Sequence, residues 1–327
     1  MKPKVFITDP IPPEVEKYIG KFCEYKIGNR RWMNSPELFY REIKNVDGLL
    51  TRNLNITNEL LSKAPCLKIV SNISVGYDNF NLQAMKDKSV LGTHTPYVLD
   101  ETVADTIMGL IIMTSRKLGE LNEYVKKGKW GQTNEISFFG QDVHHSNLGI
   151  IGMGRISEKV VRRATLGFEM KVSYHSRTRK KELEDKYDIK YMEKNQLLES
   201  SDFVLIMLPL TTETYHFIGK EDFELMQPTS YLINCSRGKV VDEKALINAL
   251  QANKIRGAGL DVYEEEPIKI NHPFLDMSNV ITLPHVGSAT KKTRLDMAFK
   301  AAENLVAGVY NKAPENIVQE LRISNIN

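Results

Sequence analysis

This 327-residue sequence has few cysteines, no long apolar runs and no large excess of either charge. Its three cysteines are odd in number and far apart, which disfavours both a disulfide framework and a cysteine-based zinc site. No apolar segment approaches the ~18 residues that a membrane span needs, and the N-terminus lacks the features of a secretory signal peptide. The net charge of +3 is too small to indicate a nucleic-acid partner. We therefore expect a cytoplasmic protein that binds neither membranes nor nucleic acid.

Short β-rich segments alternate with longer helical patterns along the chain, which is typical of parallel βαβ units. The predicted strands are residues 4–8, 47–51, 67–71, 90–94, 148–153, 171–175, 203–208, 231–235, 257–262 and 280–283. Several of the last six are nearly continuous apolar runs, as expected for strands covered on both faces. Six such strands suit a complete dinucleotide-binding sheet. Residues 100–127 are predicted to form one long helix, and residues 290–308 another.

A glycine-rich turn lies between one of these strands and the helical pattern that follows it. Gly152 and Gly154 permit a tight turn and a close approach of the backbone to a pyrophosphate, which would then lie at a helix N-terminus. Ser157 replaces the third glycine of this fingerprint, so we expect a slight shift of the helix and a weaker hold on the cofactor. The turn predicts a dinucleotide site, with a purely structural turn as the alternative.

The segment after the next strand lacks an acidic residue. An NAD site usually has an acid about 20 residues beyond the glycine turn, where it accepts a hydrogen bond from the ribose 2′-OH. No acid lies within residues 171–181; His175 takes that position, and Ser176, Arg177 and Arg179 follow it. These side chains could bind a 2′-phosphate. NADPH is therefore favoured and NADH is possible, while a solvated, charged helix start is the alternative interpretation.

Three potentially catalytic side chains each follow a predicted strand: Arg237, Glu266 and His285. Besides a hydride, ketone reduction needs a cation to hold the carboxylate and polarise the carbonyl, a proton donor, and a group that keeps the donor charged. Arg237, His285 and Glu266 supply one of each, because a nearby carboxylate favours the protonated form of an imidazole. Taken singly, they could instead be a surface ion pair, a solvated acidic loop and a structural histidine.

Several motifs carry a family resemblance that covers almost the whole chain. They are Ser74-Val75-Gly76-Tyr77-Asp78-Asn79 and residues 95–99, 149–156, 234–238, 257–267 and 284–288. In these motifs the sequence resembles the D-isomer-specific 2-hydroxyacid dehydrogenase family. Asp142-Val143-His144-His145 and residues 152–156 and 285–290 make it most similar to the glyoxylate/hydroxypyruvate reductases, which include bacterial enzymes that also reduce 2-ketogluconate.

The resemblance implies a fold and a reaction. The fold would be two doubly wound α/β domains with parallel sheets of the Rossmann or flavodoxin type, one of them discontinuous. Residues 1–99 with 288–327 would form the substrate domain, and residues 100–287 the dinucleotide-binding domain. The reaction would be NAD(P)H-dependent reduction of a small 2-keto acid (glyoxylate, hydroxypyruvate or 2-ketogluconate) to the D-2-hydroxy acid, catalysed by a homodimer.

The resemblance also implies roles for individual residues. Arg237 would orient the substrate, Glu266 would pair with the proton donor His285, and the backbone N–H groups of Val75 and Gly76 would bind the substrate carboxylate. The cofactor-binding residues would be Gly152, Gly154, Arg155, Ile156, Ser176, Arg177, Thr178, Arg179, Leu208, Cys235, Asp261 and Gly287. Asp261 would approach the nicotinamide end.

The remaining histidines are given plainer interpretations. His144 and His145 lack an acidic or cysteine partner at ligand spacing, so no metal ion is expected. His94, His216 and His272 are interpreted as structural. Trp130 and residues 138–139 follow the long helix, where exposed apolar side chains would suit a subunit interface.

The main alternative from another functional class is a nicotinamide-sensing binding protein. Transcriptional corepressors that resemble these dehydrogenases can retain all three catalytic residues, but the chain shows no appended interaction segment. A formate dehydrogenase-like enzyme would carry an amide in place of Glu266. A phosphoglycerate dehydrogenase would be expected to continue into a regulatory domain beyond residue 327.

Overall fold

The computed structural model describes residues 1–28, 35–131 and 138–322. The chain divides into two compact units, Met1–Leu99 with Thr290–Asn327, and Asp100–Ala289. Each unit has a parallel sheet with helices, so the predicted α/β fold class is confirmed. Within the described ranges, no helix combines the length and apolar character that crossing a membrane requires.

The first unit has a five-stranded parallel sheet in the order β2-β1-β3-β4-β5. Its strands are β1 (Lys4–Ile7), β2 (Glu24–Ile27), β3 (Gly48–Thr51), β4 (Ile69–Asn72) and β5 (Leu91–Thr93). Its helices are α1 (Pro13–Phe22), α2 (Pro36–Ile43), α3 (Asn58–Lys63), α4 (Leu82–Asp87) and α12 (Lys291–Val309). This strand order is that of flavodoxin-like sheets, which bind ligands beyond the carboxyl ends of their strands.

Helix α12 is far from the rest of this unit in sequence but packs directly onto its sheet. A Cβ placed on Gly308 would overlap Cδ1 of Ile69, so the helix backbone lies against β4. The hydroxyl of Ser71 donates to the backbone oxygen of Ala301 at 2.7 Å. The helix begins where Thr290 accepts a hydrogen bond from the N–H of Thr293.

The second unit has a seven-stranded parallel sheet in the order β12-β11-β10-β9-β6-β7-β8. Its strands are β6 (Asn147–Ile151), β7 (Lys171–His175), β8 (Lys190–Tyr191), β9 (Phe203–Ile206), β10 (Tyr231–Asn234), β11 (Gly257–Leu260) and β12 (Val280–Thr282). Its helices are α5 (Asp100–Ser115), α6 (Leu118–Lys126), α7 (Arg155–Phe168), α8 (Lys181–Tyr187), α9 (Lys194–Ser200), α10 (Lys220–Leu225) and α11 (Glu243–Gln251). The strand order reverses between β6 and β9, and dinucleotides bind at such a switch point.

The structure corrects three sequence-based expectations. Residues 100–127 form two helices rather than one, because Lys117 has a left-handed backbone (φ +55°) that separates α5 from α6. Strands β2 and β8 were not predicted: β2 is an edge strand with three exposed residues, and β8 has only two residues. Both therefore lack an apolar signal in the sequence.

The second boundary between the units also differs from the expected one. The sequence-based division lies after residue 287, whereas the compact unit extends to Ala289. The N–H of Ala289 donates to the carbonyl oxygen of Val286 at 2.8 Å, which keeps this turn with the second unit. The boundary therefore lies directly before Thr290, the N-cap residue of α12.

Candidate active site

The glycine turn of the second unit lies at the switch point of the sheet. Gly152 has a φ of +102°, and a Cβ there would lie 2.6 Å from the backbone oxygen of Met207, just beyond β9. Only glycine fits this position. A Cβ on Gly154, by contrast, would meet no atom within 4 Å, so the backbone at the N-terminus of α7 is open to a ligand. Such an open N-terminus fits a pyrophosphate.

Ser157 is accommodated within the turn itself. Its side chain is buried, and its hydroxyl donates to the carbonyl oxygen of Gly152 at 2.7 Å. The serine thus satisfies its own hydrogen-bonding group and links the first turn of α7 to the preceding loop. The expected weaker hold on the cofactor stays a prediction, because this hydrogen bond concerns the turn alone.

The residues expected near the 2′ position of the cofactor ribose follow β7. Arg177 is exposed, and the hydroxyl of Ser176 donates to the backbone oxygen of Thr178 at 2.8 Å. His175 donates from Nδ1 to the carbonyl oxygen of Met192 at 3.0 Å. Arg179 is held by an acid from outside this segment: its Nε and Nη2 bond to Glu184 of α8 at 2.9 Å and 2.7 Å.

Glu184 was missed by the sequence analysis, which considered only residues 171–181. It also accepts a hydrogen bond from the hydroxyl of the buried Tyr174 at 2.7 Å. The hydrogen bonds from Arg179 and Tyr174 lower the pKa of Glu184 to about 2. The charge of Arg179 is therefore largely balanced within the protein, and Arg177 is left as the more available cation.

The other expected cofactor residues surround this turn in different ways. Ile156 lies in the first turn of α7, and the side chain of Leu208 lies 3.1 Å from the position of a Cβ on Gly152. Arg155 bonds through Nε to the buried Asp100 at 3.1 Å. The thiol of Cys235 is partly buried at the end of β10, and burial raises its pKa well above the usual value.

Asp261 organises the loop that carries His285. Its two carboxylate oxygens accept the N–H groups of Val286 and Gly287 at 2.7 Å and 2.8 Å. Burial raises the pKa of this almost fully buried carboxyl, and the two N–H bonds oppose the rise. Asp261 is thus a positioning residue for the loop, and Gly287 leaves room for it because a Cβ there would lie 3.0 Å from Oδ2.

Glu266 and His285 form a direct hydrogen bond. Nδ1 of His285 lies 2.7 Å from Oε2 of Glu266, whose other oxygen accepts the N–H of Tyr263 at 3.1 Å. Burial raises the pKa of Glu266, but the hydrogen bond and charge of His285, with a contribution from Arg237, outweigh it and lower the pKa. The carboxyl is therefore ionised, and no described residue forms a hydrogen bond with the other ring nitrogen of His285.

Arg237 lies in a turn that Asn234 holds in place. The side-chain oxygen of Asn234 accepts the N–H of Ser236 at 3.1 Å, and its amide donates to the carbonyl oxygen of Arg237 at 3.1 Å. Nη1 of Arg237 donates to the carbonyl oxygen of Ser236 at 2.9 Å. The guanidinium is near enough to Glu266 to influence its pKa.

Gly238 and Tyr263 join the loop of Arg237 to the loop of Glu266. A Cβ on Gly238 would overlap the carbonyl carbon of Tyr263, so the two backbones are in direct contact. The hydroxyl of Tyr263 donates to the carbonyl oxygen of Leu283 at 2.9 Å, next to the loop of His285. Neither residue was predicted from the sequence to have a role, and the only signal of this contact is the glycine directly after Arg237.

Two further histidines of the second unit form hydrogen bonds with acidic residues. His216 bonds to Glu264 at 2.8 Å, and His272 bonds to Glu243 at 2.9 Å. The ligand atoms of His216, Glu264 and Asp242 lie within 4.8 Å of one another, but Asp242 accepts the N–H of Ala245 as the N-cap of α11. The hydrogen bonds from His216 to Glu264 and from Ala245 to Asp242 are sufficient to explain this cluster as a structural link between loops.

In the first unit, Val75 and Gly76 lie in the loop after β4. The carbonyl oxygens of both residues accept hydrogen bonds. His94 donates to the carbonyl oxygen of Val75 at 2.8 Å, and Asn72 donates to the carbonyl oxygen of Gly76 at 2.9 Å. The N–H groups of Val75 and Gly76 donate no hydrogen bond to any residue that the structure describes. The loop therefore presents two backbone donors, and the hydrogen bond from His94 helps to hold it.

Comparisons with known proteins identify the family of this chain. The sequence profile of the NAD binding domain of D-isomer specific 2-hydroxyacid dehydrogenases matches residues 108–287. Glyoxylate/hydroxypyruvate reductase B of Shigella boydii is 42% identical over 322 residues, covering 97% of this chain and 98% of the relative. The chain belongs to the D-isomer specific 2-hydroxyacid dehydrogenase family. The predicted family and the similarity to its glyoxylate/hydroxypyruvate reductases are confirmed, and the chain is an NAD(P)-dependent oxidoreductase that acts on keto acids.

Solved structures of similar proteins have the same fold. A protein from Thermus thermophilus superposes with a TM-score of 0.88 at 33% identity, covering 96% of this chain and 99% of that one. An NADPH-dependent glyoxylate/hydroxypyruvate reductase from Sinorhizobium meliloti, solved with NADP and malonate, gives a TM-score of 0.88 at 30% identity and covers 98% of both chains.

Proposed function

We propose that this dehydrogenase reduces glyoxylate and hydroxypyruvate, the latter to the D-2-hydroxy acid, and favours NADPH over NADH. The observation that carries the proposal is the 2.7 Å hydrogen bond between His285 and Glu266, with the turn of Arg237 in backbone contact with the Glu266 loop. The names of the relatives support the substrates. The same assay tests the reduction of 2-ketogluconate that the family resemblance implies.

The roles of the side chains follow from their chemistry. A nicotinamide cofactor, when bound, would supply the hydride. Arg237 binds the substrate carboxylate and polarises the carbonyl. His285 donates a proton from Nε2 to the carbonyl oxygen, while the Glu266 carboxylate holds Nδ1–H and stabilises the imidazolium. The His285 side chain is 46% exposed, so solvent can restore its proton.

A panel of substrates and cofactors tests this function. Glyoxylate, hydroxypyruvate, 2-ketogluconate and pyruvate are each assayed with NADPH and with NADH. The expected result is the highest kcat/KM for glyoxylate or hydroxypyruvate with NADPH. The absence of turnover with every pair, together with tight nicotinamide binding, would instead support the corepressor-like alternative.

Arg177 is expected to contribute more than Arg179 to the preference for NADPH. One charge-assisted hydrogen bond to a phosphate contributes about 1.5–3 kcal/mol, which corresponds to about tenfold or more in affinity. We expect Arg177→Ala to raise the KM for NADPH by about this factor, and Arg179→Ala to raise it less, because Glu184 already binds that guanidinium. The KM for NADH in the same variants is the control. A clear NADH preference of the unmodified enzyme would reject the assignment.

The Glu266 carboxylate is expected to support the rate of the reductive reaction. Its pKa is lowered, so it is ionised at neutral pH and its charge lies beside the imidazole of His285. Glu266→Gln keeps a hydrogen-bond acceptor but removes the charge, so kcat at neutral pH should fall by about tenfold or more. Glu265→Gln, a charge change at an exposed neighbour, is the control. Equal kcat values for the two variants would show that Glu266 has no such role.

We further propose a homodimer. Helix α6 and the segment after it expose large apolar side chains, with Trp130 at 76% and Phe139 at 64% exposure. Exposed apolar groups of this size favour an interface. Residues 132–137 of this segment lie outside the described part of the chain. Sedimentation equilibrium measures the mass directly, and a monomer at micromolar concentration would contradict the proposal.

A further inference from the structure

Two acidic residues of the second unit bind each other's backbone. Glu243 is the first residue of α11, and Glu264 lies in the loop after β11. The N–H of Glu264 donates to Oε2 of Glu243 at 3.1 Å, and the N–H of Glu243 donates to Oε1 of Glu264 at 3.1 Å. A helix N-terminus favours carboxylates because its first N–H groups carry partial positive charge. The reciprocal pair therefore ties the loop after β11 to a helix end.

Two histidines bind the same carboxylates. Nε2 of His272 lies 2.9 Å from Oε1 of Glu243, and Nδ1 of His272 accepts the N–H of Phe274 at 3.3 Å. Since Nδ1 is an acceptor, Nε2 carries the hydrogen and donates to Glu243. Nε2 of His216 lies 2.8 Å from Oε1 of Glu264. We call the side chains of Glu243, Glu264, His216 and His272 the carboxylate clasp. The Glu243 and His272 side chains are 19% and 15% exposed, so water competes little for their hydrogen bond.

The carboxylate clasp lies next to the backbone that holds Glu266. The N–H of Tyr263 donates to Oε1 of Glu266 at 3.1 Å, and the N–H of the next residue, Glu264, donates to Glu243. The other oxygen of Glu266 lies 2.7 Å from Nδ1 of His285. The direction of the Glu266 carboxylate therefore depends on a short backbone segment that Glu243 fixes.

The loop that carries Arg237 also contacts the carboxylate clasp. A Cβ on Gly238 would overlap the backbone nitrogen of Glu264. The N–H of His216 donates to the carbonyl oxygen of Lys239 at 2.8 Å. The clasp thus connects segments that follow β9, β10 and β11, at the edge where sheets of this type bind ligands.

A role in stability alone is a weaker explanation of the carboxylate clasp. Asp242 brings a third carboxylate to it, with an oxygen within 4.8 Å of the ligand atoms of His216 and Glu264. Carboxylates at such short distances repel one another. Apolar side chains would hold a purely structural contact without this repulsion.

We propose that Glu243 is a positioning residue for Glu266: it binds the N–H of Glu264 and so keeps the Glu266 carboxylate directed at His285. The inference rests on the proposed function, in which Glu266 supports proton donation by His285. Glu243 acts through the loop, since its own carboxylate bonds to Glu264 and His272.

The kinetic test replaces Glu243 with Gln. Glutamine offers one acceptor oxygen where two donors point at the carboxylate, so one of the two hydrogen bonds is lost. kcat with glyoxylate should fall by about 3- to 10-fold while the KM for NADPH stays unchanged, because a small displacement of a reacting group lowers the rate steeply. Glu243→Asp keeps both acceptor oxygens and should recover part of the loss. Glu221→Gln, at an exposed acid in the first turn of α10, is the control.

A double-mutant cycle separates positioning from a general structural role. Glu266→Ala has no carboxylate to position, so adding Glu243→Gln to it should lower kcat further by less than about twofold. An equal fold-loss with and without the Glu266 carboxylate would overturn the proposal in favour of a structural role. His272→Ala, which removes the donor to Oε1 of Glu243, is a second variant and should show the same dependence on Glu266.

Amide hydrogen exchange tests the positioning without turnover. The N–H groups of Tyr263 and Glu264 should exchange faster in Glu243→Gln, and those of the central strand β9 should not change. Unchanged exchange at both N–H groups would overturn the proposal. If the unmodified enzyme reduces no keto acid, the proposed function fails, and the exchange still decides whether Glu243 holds the loop. If it reduces glyoxylate and Glu243→Gln keeps its kcat, only this inference fails.

Discussion

Replacing His285 with Ala is expected to lower kcat by about 10²–10⁴-fold, which is the usual contribution of a positioned general acid. The imidazole is the proton donor in the proposed reaction, and its Nδ1 is fixed on Glu266 at 2.7 Å. Cofactor binding should be retained, because the glycine turn and the residues after β7 lie on other loops. Steady-state kinetics and a fluorescence titration with NADPH measure the two effects separately.

His144→Ala is the matched control for this variant. His144 is an exposed histidine whose side chain is 62% accessible, and its removal should leave kcat unchanged. If His285→Ala retained near-normal kcat, the proton would have to come from another group. A parallel loss of NADPH affinity would point to a disturbed loop rather than a lost acid.

Gly238→Ala is expected to affect both stability and activity. A Cβ at this position would overlap the carbonyl carbon and oxygen of Tyr263, and backbone atoms cannot rotate away as a side chain can. The loops of Arg237 and Glu266 must therefore separate. Overpacking of this kind costs about 1–3 kcal/mol or more, and a displacement of about 1 Å in a catalytic group can cost about 10²-fold in rate.

Chemical denaturation and kcat/KM measure these two effects of Gly238→Ala. Gly167→Ala is the control: this glycine is exposed in α7, and a Cβ there would meet no atom within 4 Å. Alanine at position 167 should be neutral or slightly stabilising, because alanine has the higher helix propensity. If Gly238→Ala were as active and as stable as Gly167→Ala, the backbone contact would have no role in holding the site.

The strands of both sheets could largely be predicted from their apolar runs. Residues such as those of β9 and β10 are buried on both faces of a parallel sheet, so their sequence is apolar almost without interruption. Strand β2 has no such run because it lies at a sheet edge with three exposed residues. The break between α5 and α6 could not be predicted either, since neither Arg116 nor Lys117 is a helix breaker.

The sequence by itself determined the family, the parallel α/β fold and the residue types needed for ketone reduction, because these depend on local patterns and on motifs of contiguous residues. Only the tertiary structure decided which partners those residues have. Glu184 binds Arg179 from the next helix, and Asp261 holds a loop that lies well beyond it in the chain. Glu243 and Glu264 bind each other's backbone N–H groups from separate segments. Such pairings depend on how separate strands and loops pack, and a motif cannot reveal them because the contacting residues are distant in sequence.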